Sequence, residues 1–271
     1  MSPNRNLVQA SILLLMVQAA SGNHLGFSAP LNAQQPPSAA PSTRPSEAVL
    51  KPPADMRIAI TMSEADVKAL LNPRDAVWNQ VKPTRVLLNR TPRVYQTESM
   101  ESRKPPTLDV RAWRTAGKLY VRLQWDDPTE NKPVAPQKKS GEGGSAAQLY
   151  KQPTGETSTF ADAAAVMIPE KWAGGGFPSV IMGDQTTTSN IYYWNASRGA
   201  QMLRANGRAT QKPSGDTFKH QANYLEGKWT VVEELPDQPD GTPMAFAIWD
   251  GQFQDRDGLK FFSIWYVLGG K

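Results

Sequence analysis

Residues 119–125 read Leu-Tyr-Val-Arg-Leu-Gln-Trp, and this short stretch decides the fold class. Its odd-numbered residues are all apolar, and two of its three even-numbered residues are polar. An alternation with a period of two is typical of a β-strand that buries one face. The stretch therefore predicts a half-buried strand.

Working outward from this strand, other segments rich in β-branched and aromatic residues recur along the chain, and such residues favour strands. They cover residues 57–62, 107–114, 163–168, 189–194, 228–233, 243–249 and 260–268.

Few segments of the sequence have a pattern typical of a helix. Ser63 and Asp66 resemble a capping box, Leu70 belongs to the apolar face that follows, and Pro73 ends the segment. Many short strands with one or two short helices predict a mainly β protein, an antiparallel β-sandwich.

The chain divides into three parts. Residues 1–22 combine Arg5, a short apolar run and small residues, which is typical of a secretory signal peptide. Residues 23–55 are rich in Pro and Ala and predict an extended linker. The folded domain is expected over 56–271, with a polar, Gly-rich insertion at 131–158 that is either a disordered excursion or an arm that orders against a partner. We expect a periplasmic protein with no membrane span after signal removal.

Composition excludes several chemistries. The 271 residues contain no Cys, which removes disulfides, iron–sulfur clusters and covalently attached haem. His24 and His220 are the only histidines, so multi-histidine metal sites are excluded. The formal charge of +5 is spread along the chain, and we expect no nucleic-acid partner.

Aromatic residues are concentrated in the last third of the chain. Trp194, Trp249 and Trp265 belong to this group. Three interpretations stay open at this point: the rings fill a sandwich core, line a haem pocket, or form a platform on which sugars stack.

A series of motifs, taken in order, resembles the ethylbenzene dehydrogenase-type haem-binding domain. The series consists of Trp78, Val-Leu-Leu at 86–88, Tyr-Val-Arg-Leu-Gln-Trp-Asp-Asp at 120–127, Phe-Ala-Asp-Ala-Ala-Ala-Val at 160–166, Met-Gly-Asp at 182–184, Ile-Tyr-Tyr-Trp at 191–194, Ala-Phe-Ala-Ile-Trp-Asp-Gly at 245–251 and Lys-Phe-Phe-Ser-Ile-Trp at 260–265.

The resemblance implies a γ subunit that binds one non-covalent haem b and transfers electrons without catalysing substrate chemistry. Its partners would be the iron–sulfur and molybdenum catalytic subunits of one complex, and a soluble c-type cytochrome is a possible redox partner. Carried over by motif, the axial iron ligands are Met182 and Lys260. Trp194, Trp249 and Trp265 would contact the cofactor.

Two features complicate this interpretation. Residues 233–236 read Glu-Glu-Leu-Pro where relatives typically have Arg-Pro-Leu, so we expect altered propionate binding or an altered docking face. His220 is a possible substitute ligand. The alternative function is a carbohydrate-binding β-sandwich module that uses exposed Trp and Tyr, and a Soret band would separate the two.

Overall fold

The structure is a computed structural model that describes residues 56–91, 103–132, 160–172, 174 and 176–269. The expected signal peptide (1–22), the linker (23–55) and nearly all of the polar insertion (133–158) lie outside these residues. No helix within the described ranges has the length and apolar character that crossing a bilayer requires.

Within the described residues, fifteen strands and one short α-helix are present. The strands are β1 (Arg57–Ile58), β2 (Ile60–Met62), β3 (Thr84–Val86), β4 (Asn89–Arg90), β5 (Leu108–Thr115), β6 (Lys118–Asp126), β7 (Ala163–Pro169), β8 (Ser189–Asn195), β9 (Gly199–Ala205), β10 (Lys212–Pro213), β11 (His220–Leu225), β12 (Lys228–Pro236), β13 (Pro243–Trp249), β14 (Phe261–Phe262) and β15 (Tyr266–Leu268).

The strands form two sheets, as predicted for a β-sandwich. The larger sheet has the order β1-β15-β13-β7-β8-β9-β10, with β14 paired to β13 and β4 paired to β14. The smaller sheet has the order β11-β12-β6-β5-β2, with β3 beside β5. Pairing is antiparallel except for the short pairs β1–β15 and β2–β5, which are parallel. The predicted mainly β class is confirmed.

The core lies between the two sheets. The alternating strand β6 turns Leu119, Val121, Leu123 and Trp125 into it, as its pattern predicts. Three tryptophans then pack against one another, with ring centroids 4.9 to 6.3 Å apart: Trp125, Trp194 and Trp229.

The outer face of the smaller sheet is covered by helix α1 (Val67–Leu71) and a 3-10 helix, Ala76–Gln80. Asp66 caps α1 by accepting a hydrogen bond from the Lys68 amide at 2.9 Å. The predicted start at Ser63 is therefore wrong by three residues, and the Ser63 carbonyl instead accepts from Trp113 Nε1 at 2.9 Å.

The predicted strand 260–268 is interrupted. Two residues of β13 lie between the pairs Ala247–Phe262 and Met244–Tyr266, whereas three residues lie between them on the opposite segment. One extra residue on one side is the mark of a β-bulge. Ser263 holds the bulge, because its Oγ accepts from the Phe246 amide at 2.9 Å. The extra residue turns Trp265 to the outer face of the larger sheet, where Phe262 also lies.

Strands β9 and β11 were not predicted. Both are partly exposed and carry polar side chains among the apolar ones, so their alternation is weak. β11 ends the smaller sheet and β9 lies next to the end of the larger one, positions where a polar face is tolerated.

Candidate functional site

A cavity of about 450 Å³ lies on the outer face of the larger sheet. Its floor consists of side chains from β7, β8, β9 and β13 that point away from the sandwich core. Its walls come from the segments that follow β7, β9 and β13. The cavity is therefore separate from the core, although both use the same strands.

Small side chains make room for this cavity. Ala165 pairs with Ala247 on one side and with Tyr193 on the other, so the three side chains form one row across the floor. In the next row Ala245 pairs with Met167. Alanine leaves a shallow, flat and apolar surface, which suits a planar ligand.

Two aromatic residues border this floor. The rings of Tyr193 and Trp249 lie 5.5 Å apart and nearly perpendicular, at 85°. Trp249 Nε1 donates to the Asp257 carbonyl at 3.2 Å, and Tyr193 Oη accepts from Asn195 Nδ2 at 3.2 Å. Burial raises the pKa of Tyr193, so its phenol stays neutral.

Lys260 lies beside Trp249. Its Nζ is 5.1 Å from the Trp249 ring and donates to the Asp257 carbonyl at 3.3 Å. Burial lowers the pKa of Lys260 to about 8, and the opposing charge of Asp257 only partly offsets this effect. A larger fraction of the amine is then neutral, and a neutral amine can bind a metal.

The backbone of Lys260 is held in place by Thr91. Thr91 Oγ1 accepts from the Lys260 amide at 3.0 Å, and the Lys260 carbonyl accepts from the Thr91 amide at 3.2 Å. The side chain therefore begins from a fixed point at the edge of the cavity.

Met182 reaches the cavity from a tight loop. Met182 and Gly183 both have positive φ angles, of 62° and 78°. The Asp184 carboxylate fixes the loop by accepting from the amides of Ser179, Thr186 and Thr187 at 2.9 to 3.1 Å. A side chain at Gly183 would come within 2.6 Å of the Thr187 carbonyl oxygen, so the loop requires glycine there.

The structure brings three of the five predicted site residues to the cavity lining: Met182, Lys260 and Trp249. Trp265 packs in the same apolar cluster and donates from Nε1 to the Pro178 carbonyl at 2.7 Å, which supports the loop that carries Met182. Trp194 lies elsewhere, in the core between the sheets.

Other expectations also differ from the structure. His220 lies on β11 in the smaller sheet and does not line the cavity. Glu233 is fully buried on the core side of β12, beside Val231 and Leu235, so the acidic departure at 233–236 does not bring this carboxylate to the cavity.

Several lining residues were not assigned to the site from the sequence. Tyr193 belongs to the aromatic group of the last third of the chain but was not singled out, and the alanines of the floor, Arg208 and Gln211 were missed. The alternation of β7 and β13 could have revealed the floor, because Ala163, Ala165 and Met167 share one face, as do Ala245 and Ala247.

A sugar-stacking surface needs open aromatic rings. All eight tryptophans lie within the described residues; seven are buried, and Trp172 is half-buried and stacks on Phe177 with centroids 5.7 Å apart. The described surface therefore presents no open tryptophan for a sugar ring.

The cavity places a thioether and an amine of lowered pKa in one apolar pocket, together with the cation Arg208. Thioether sulfur suits soft or borderline metals, and a cation suits a ligand with carboxylates. Fold and site together define a β-sandwich with an apolar cavity on the outer face of one sheet.

The chain belongs to the ethylbenzene dehydrogenase family, whose family model matches residues 75–234. The matched range includes Met182 and ends before Lys260.

Three relatives are similar over most of the chain. A protein of Haloferax mediterranei, named as a candidate heme subunit of respiratory nitrate reductase (ORF7), is 30% identical over 72% of this chain and 66% of its own length. The chlorate reductase subunit gamma of Ideonella dechloratans is 29% identical over 80% of this chain and 86% of its own length. The dimethylsulfide dehydrogenase subunit gamma of Rhodovulum sulfidophilum is 26% identical over 73% and 74%.

Among solved structures, a carbohydrate binding module of family 9 from Caldicellulosiruptor kristjanssonii, in complex with glucose, aligns with 13% identity and a TM-score of 0.39. The alignment covers 79% of this chain and 96% of that module. A TM-score this low defines neither the fold nor the ligand of this chain.

Proposed function

We propose that this chain is a haem-binding, electron-transferring γ subunit of an exported molybdenum oxidoreductase complex. The observation that carries the proposal is that Met182 and Lys260, which are far apart in the sequence, line the same apolar cavity. The name of the Haloferax mediterranei relative, a heme subunit, supports the cofactor.

The residues present fit a haem b. The alanine floor offers a flat apolar surface, and Trp249 and Tyr193 border it. Met182 and Lys260 would hold the iron, and Arg208 is a cation that could face a propionate. The absence of Cys means that the cofactor would be held without thioether bonds to the chain. One haem per chain is the proposed stoichiometry.

When bound, haem supplies a centre that accepts and releases one electron. The thioether of Met182 would favour the reduced metal, and Lys260 would contribute its neutral amine. With both residues holding the iron, the chain would transfer electrons and leave substrate chemistry to a partner.

The names of two relatives, both gamma subunits of oxidoreductases, support a catalytic partner. We propose the iron–sulfur and molybdenum subunits of one complex as that partner, and a soluble c-type cytochrome as a further redox partner. The signal-like pattern of residues 1–22 supports a periplasmic location.

Methionine replacement tests the first ligand. The full-length chain is titrated with haem, and we expect a Soret band and a six-coordinate low-spin spectrum. Met182→Leu keeps the apolar volume and loses the sulfur, so the potential should fall or the haem should be released. Met62→Leu, at an exposed methionine, is the control. The proposal is contradicted if the wild-type chain shows no Soret band of bound haem during the titration, or if the spectrum and potential are unchanged in Met182→Leu.

Arginine replacement tests the second ligand. Lys260→Arg keeps the positive charge, but a guanidinium in a protein does not lose its proton and cannot bind iron. We expect a high-spin or haem-poor product, read from the absorption spectrum. Lys228→Arg, at an exposed lysine that pairs with Asp126, should leave the spectrum unchanged. A normal low-spin spectrum in Lys260→Arg removes Lys260 from the site.

A further inference from the structure

Three carboxylates from distant parts of the chain meet at one end of the sandwich. Asp127 follows β6, Asp162 precedes β7, and Asp250 follows β13. One carboxylate oxygen from each residue lies within 4.8 Å of the other two. Asp127 and Asp162 are buried, and Asp250 is half-buried. None of the three lines the cavity that holds Met182 and Lys260.

Asp162 is well satisfied by the protein. Its Oδ2 accepts from the Asn131 amide at 2.7 Å and from Trp229 Nε1 at 2.9 Å, and its Oδ1 accepts from the Gly251 amide at 2.9 Å. Burial raises the pKa of Asp162, and these three hydrogen bonds offset part of that effect. They hold the carboxyl group in a fixed position within the cluster.

Asp127 is not satisfied. Its Oδ1 accepts from the Thr129 amide at 3.1 Å, but its Oδ2 is buried and has no hydrogen-bond partner. The residue is only 2% exposed. A buried oxygen without a partner is costly, and its presence indicates a missing partner such as an ion.

The basic side chains near the cluster are not closely paired with its three carboxylates. Arg103 lies 4.0 Å from Asp250 but makes its close contact, 2.6 Å, with Asp255. Lys132 pairs with Glu130 and lies over the Trp229 ring. Lys104 and Arg103 line a smaller cavity that also borders Asp127 and Asp250. Because Arg103 is closely paired with Asp255, one dication would supply the positive charge that the three carboxylates lack nearby.

Neutral oxygens lie beside the carboxylates. Thr129 Oγ1 is 3.4 Å from Asp127 Oδ1, 3.0 Å from Asn131 Oδ1 and 3.1 Å from Gln252 Oε1. A hydroxyl has one hydrogen and can serve only one of these three acceptors. Three neutral side-chain oxygens therefore lie close together beside Asp127.

We propose that Asp127, Asp162 and Asp250 bind a calcium ion. Ca²⁺ prefers six to eight oxygen ligands at about 2.3–2.6 Å, so oxygens on opposite sides of the ion are up to about 5.2 Å apart. The three carboxylate oxygens lie within 4.8 Å of one another, which allows all three to bind one such ion. Mg²⁺ usually keeps several waters and binds through only one or two carboxylates, so a cluster of three carboxylates with further protein oxygens suits Ca²⁺ better.

The ion would tie the two sheets together. β6 belongs to the smaller sheet, whereas β7 and β13 are neighbours in the larger one. A ligand that binds only the folded state stabilises it by mass action. Calcium would thus close the end of the sandwich independently of the proposed cofactor.

The test uses the full-length chain after EDTA treatment and dialysis. We expect CaCl₂ to raise the Tm and to give a saturable binding heat in calorimetry, with MgCl₂ much weaker. Asp127→Asn should lower calcium affinity at least tenfold. Asp126→Asn is the matched control, because the adjacent Asp126 is exposed and pairs with Lys228 at 2.7 Å. It should bind calcium as wild type does.

Terbium gives a second measurement. Trp229 donates to Asp162, so it is placed to sensitise the luminescence of a bound Tb³⁺ that calcium then displaces. If Asp127→Asn does not fold, Asp250→Asn replaces it in the same assays. The proposal is overturned if millimolar calcium produces neither a Tm shift nor heat, or if the folded variant binds calcium like Asp126→Asn.

Discussion

Glu233 is a fully buried carboxyl group with no hydrogen-bond partner on either oxygen. It lies on the core face of β12, opposite His220 in the strand register, and its charge would face Tyr192. Burial raises the pKa of Glu233 well above 4.5. At a pH between the unfolded and the folded pKa, Glu233 is therefore protonated in the folded protein and ionised in the unfolded chain.

This proton predicts how stability depends on pH. Between the unfolded pKa and the raised folded pKa, the native state binds more protons, so the free energy of unfolding falls as pH rises, by about 1.4 kcal/mol per pH unit. Glu233→Gln cannot ionise and should lose this contribution, which makes the variant more stable than wild type near pH 7.

Urea unfolding of both proteins from pH 5 to 8, in constant excess calcium, measures the difference. Burial also raises the pKa of Asp127 to about 7 and of Asp255 to about 6. Because both proteins contain these two residues, the difference between their pH profiles reports the contribution of Glu233. Parallel pH profiles for the two proteins would contradict the prediction.

At the residue scale, the order of motifs pointed to Met182, Lys260 and Trp249. Which other strand residues line the cavity depends on the face of the sheet to which each side chain points, and that face alternates along a strand. Tyr193 and Trp194 are neighbours on β8, so their side chains point to opposite faces. Ala165 pairs with Tyr193 and Ala164 with Trp194, and only Ala165 faces the cavity. Following the alternation along β7 and its pairing with β8 would therefore have selected Tyr193. Trp265 escapes such reasoning because a bulge changes its parity.

At the scale of elements, the loop that carries Met182 depends on Gly183. A methyl group there meets the Thr187 carbonyl oxygen at 2.6 Å, and the backbone has a positive φ angle. We expect Gly183→Ala to displace Met182 and to weaken haem binding more than tenfold, as measured by haem titration.

Gly215→Ala is the matched control for the loop. Gly215 also has a positive φ angle, of 84°, but no atom lies within 4 Å of the added methyl group. It should cost about 1–2 kcal/mol of stability and leave haem affinity unchanged. Equal haem affinity in both variants would show that the loop tolerates a side chain.

The strands themselves were largely predictable, because eight predicted segments coincide with observed strands or with pairs of them. The failures have local causes. Ser63 was favoured as a cap on sequence spacing, but its carbonyl is bound by Trp113 Nε1, a long-range contact that no local pattern contains. β9 and β11 are partly exposed, and tertiary pairing gives them order that their sequences do not specify.

At the scale of the whole molecule, β7 and β13 serve the core on one face and the cavity on the other. Ala165→Leu should fill the cavity and abolish haem binding with little change in Tm, because its side chain lies outside the core between the sheets and faces open space in the cavity. Ala164→Leu, one residue earlier and fully buried in the core, should cost about 1–3 kcal/mol by overpacking. Thermal unfolding and haem titration of the two variants test this separation; a strongly destabilised Ala165→Leu would contradict it.

The alanine floor also bears on the timing of assembly. Its side chains point away from the packed interior, so every contact between the two sheets can form before anything enters the cavity. The polypeptide can then reach its final shape first and acquire the proposed haem later, without unfolding. A stock of complete but empty subunits would fill in proportion to the haem supplied, and synthesis and loading need not occur in the same place or at the same moment.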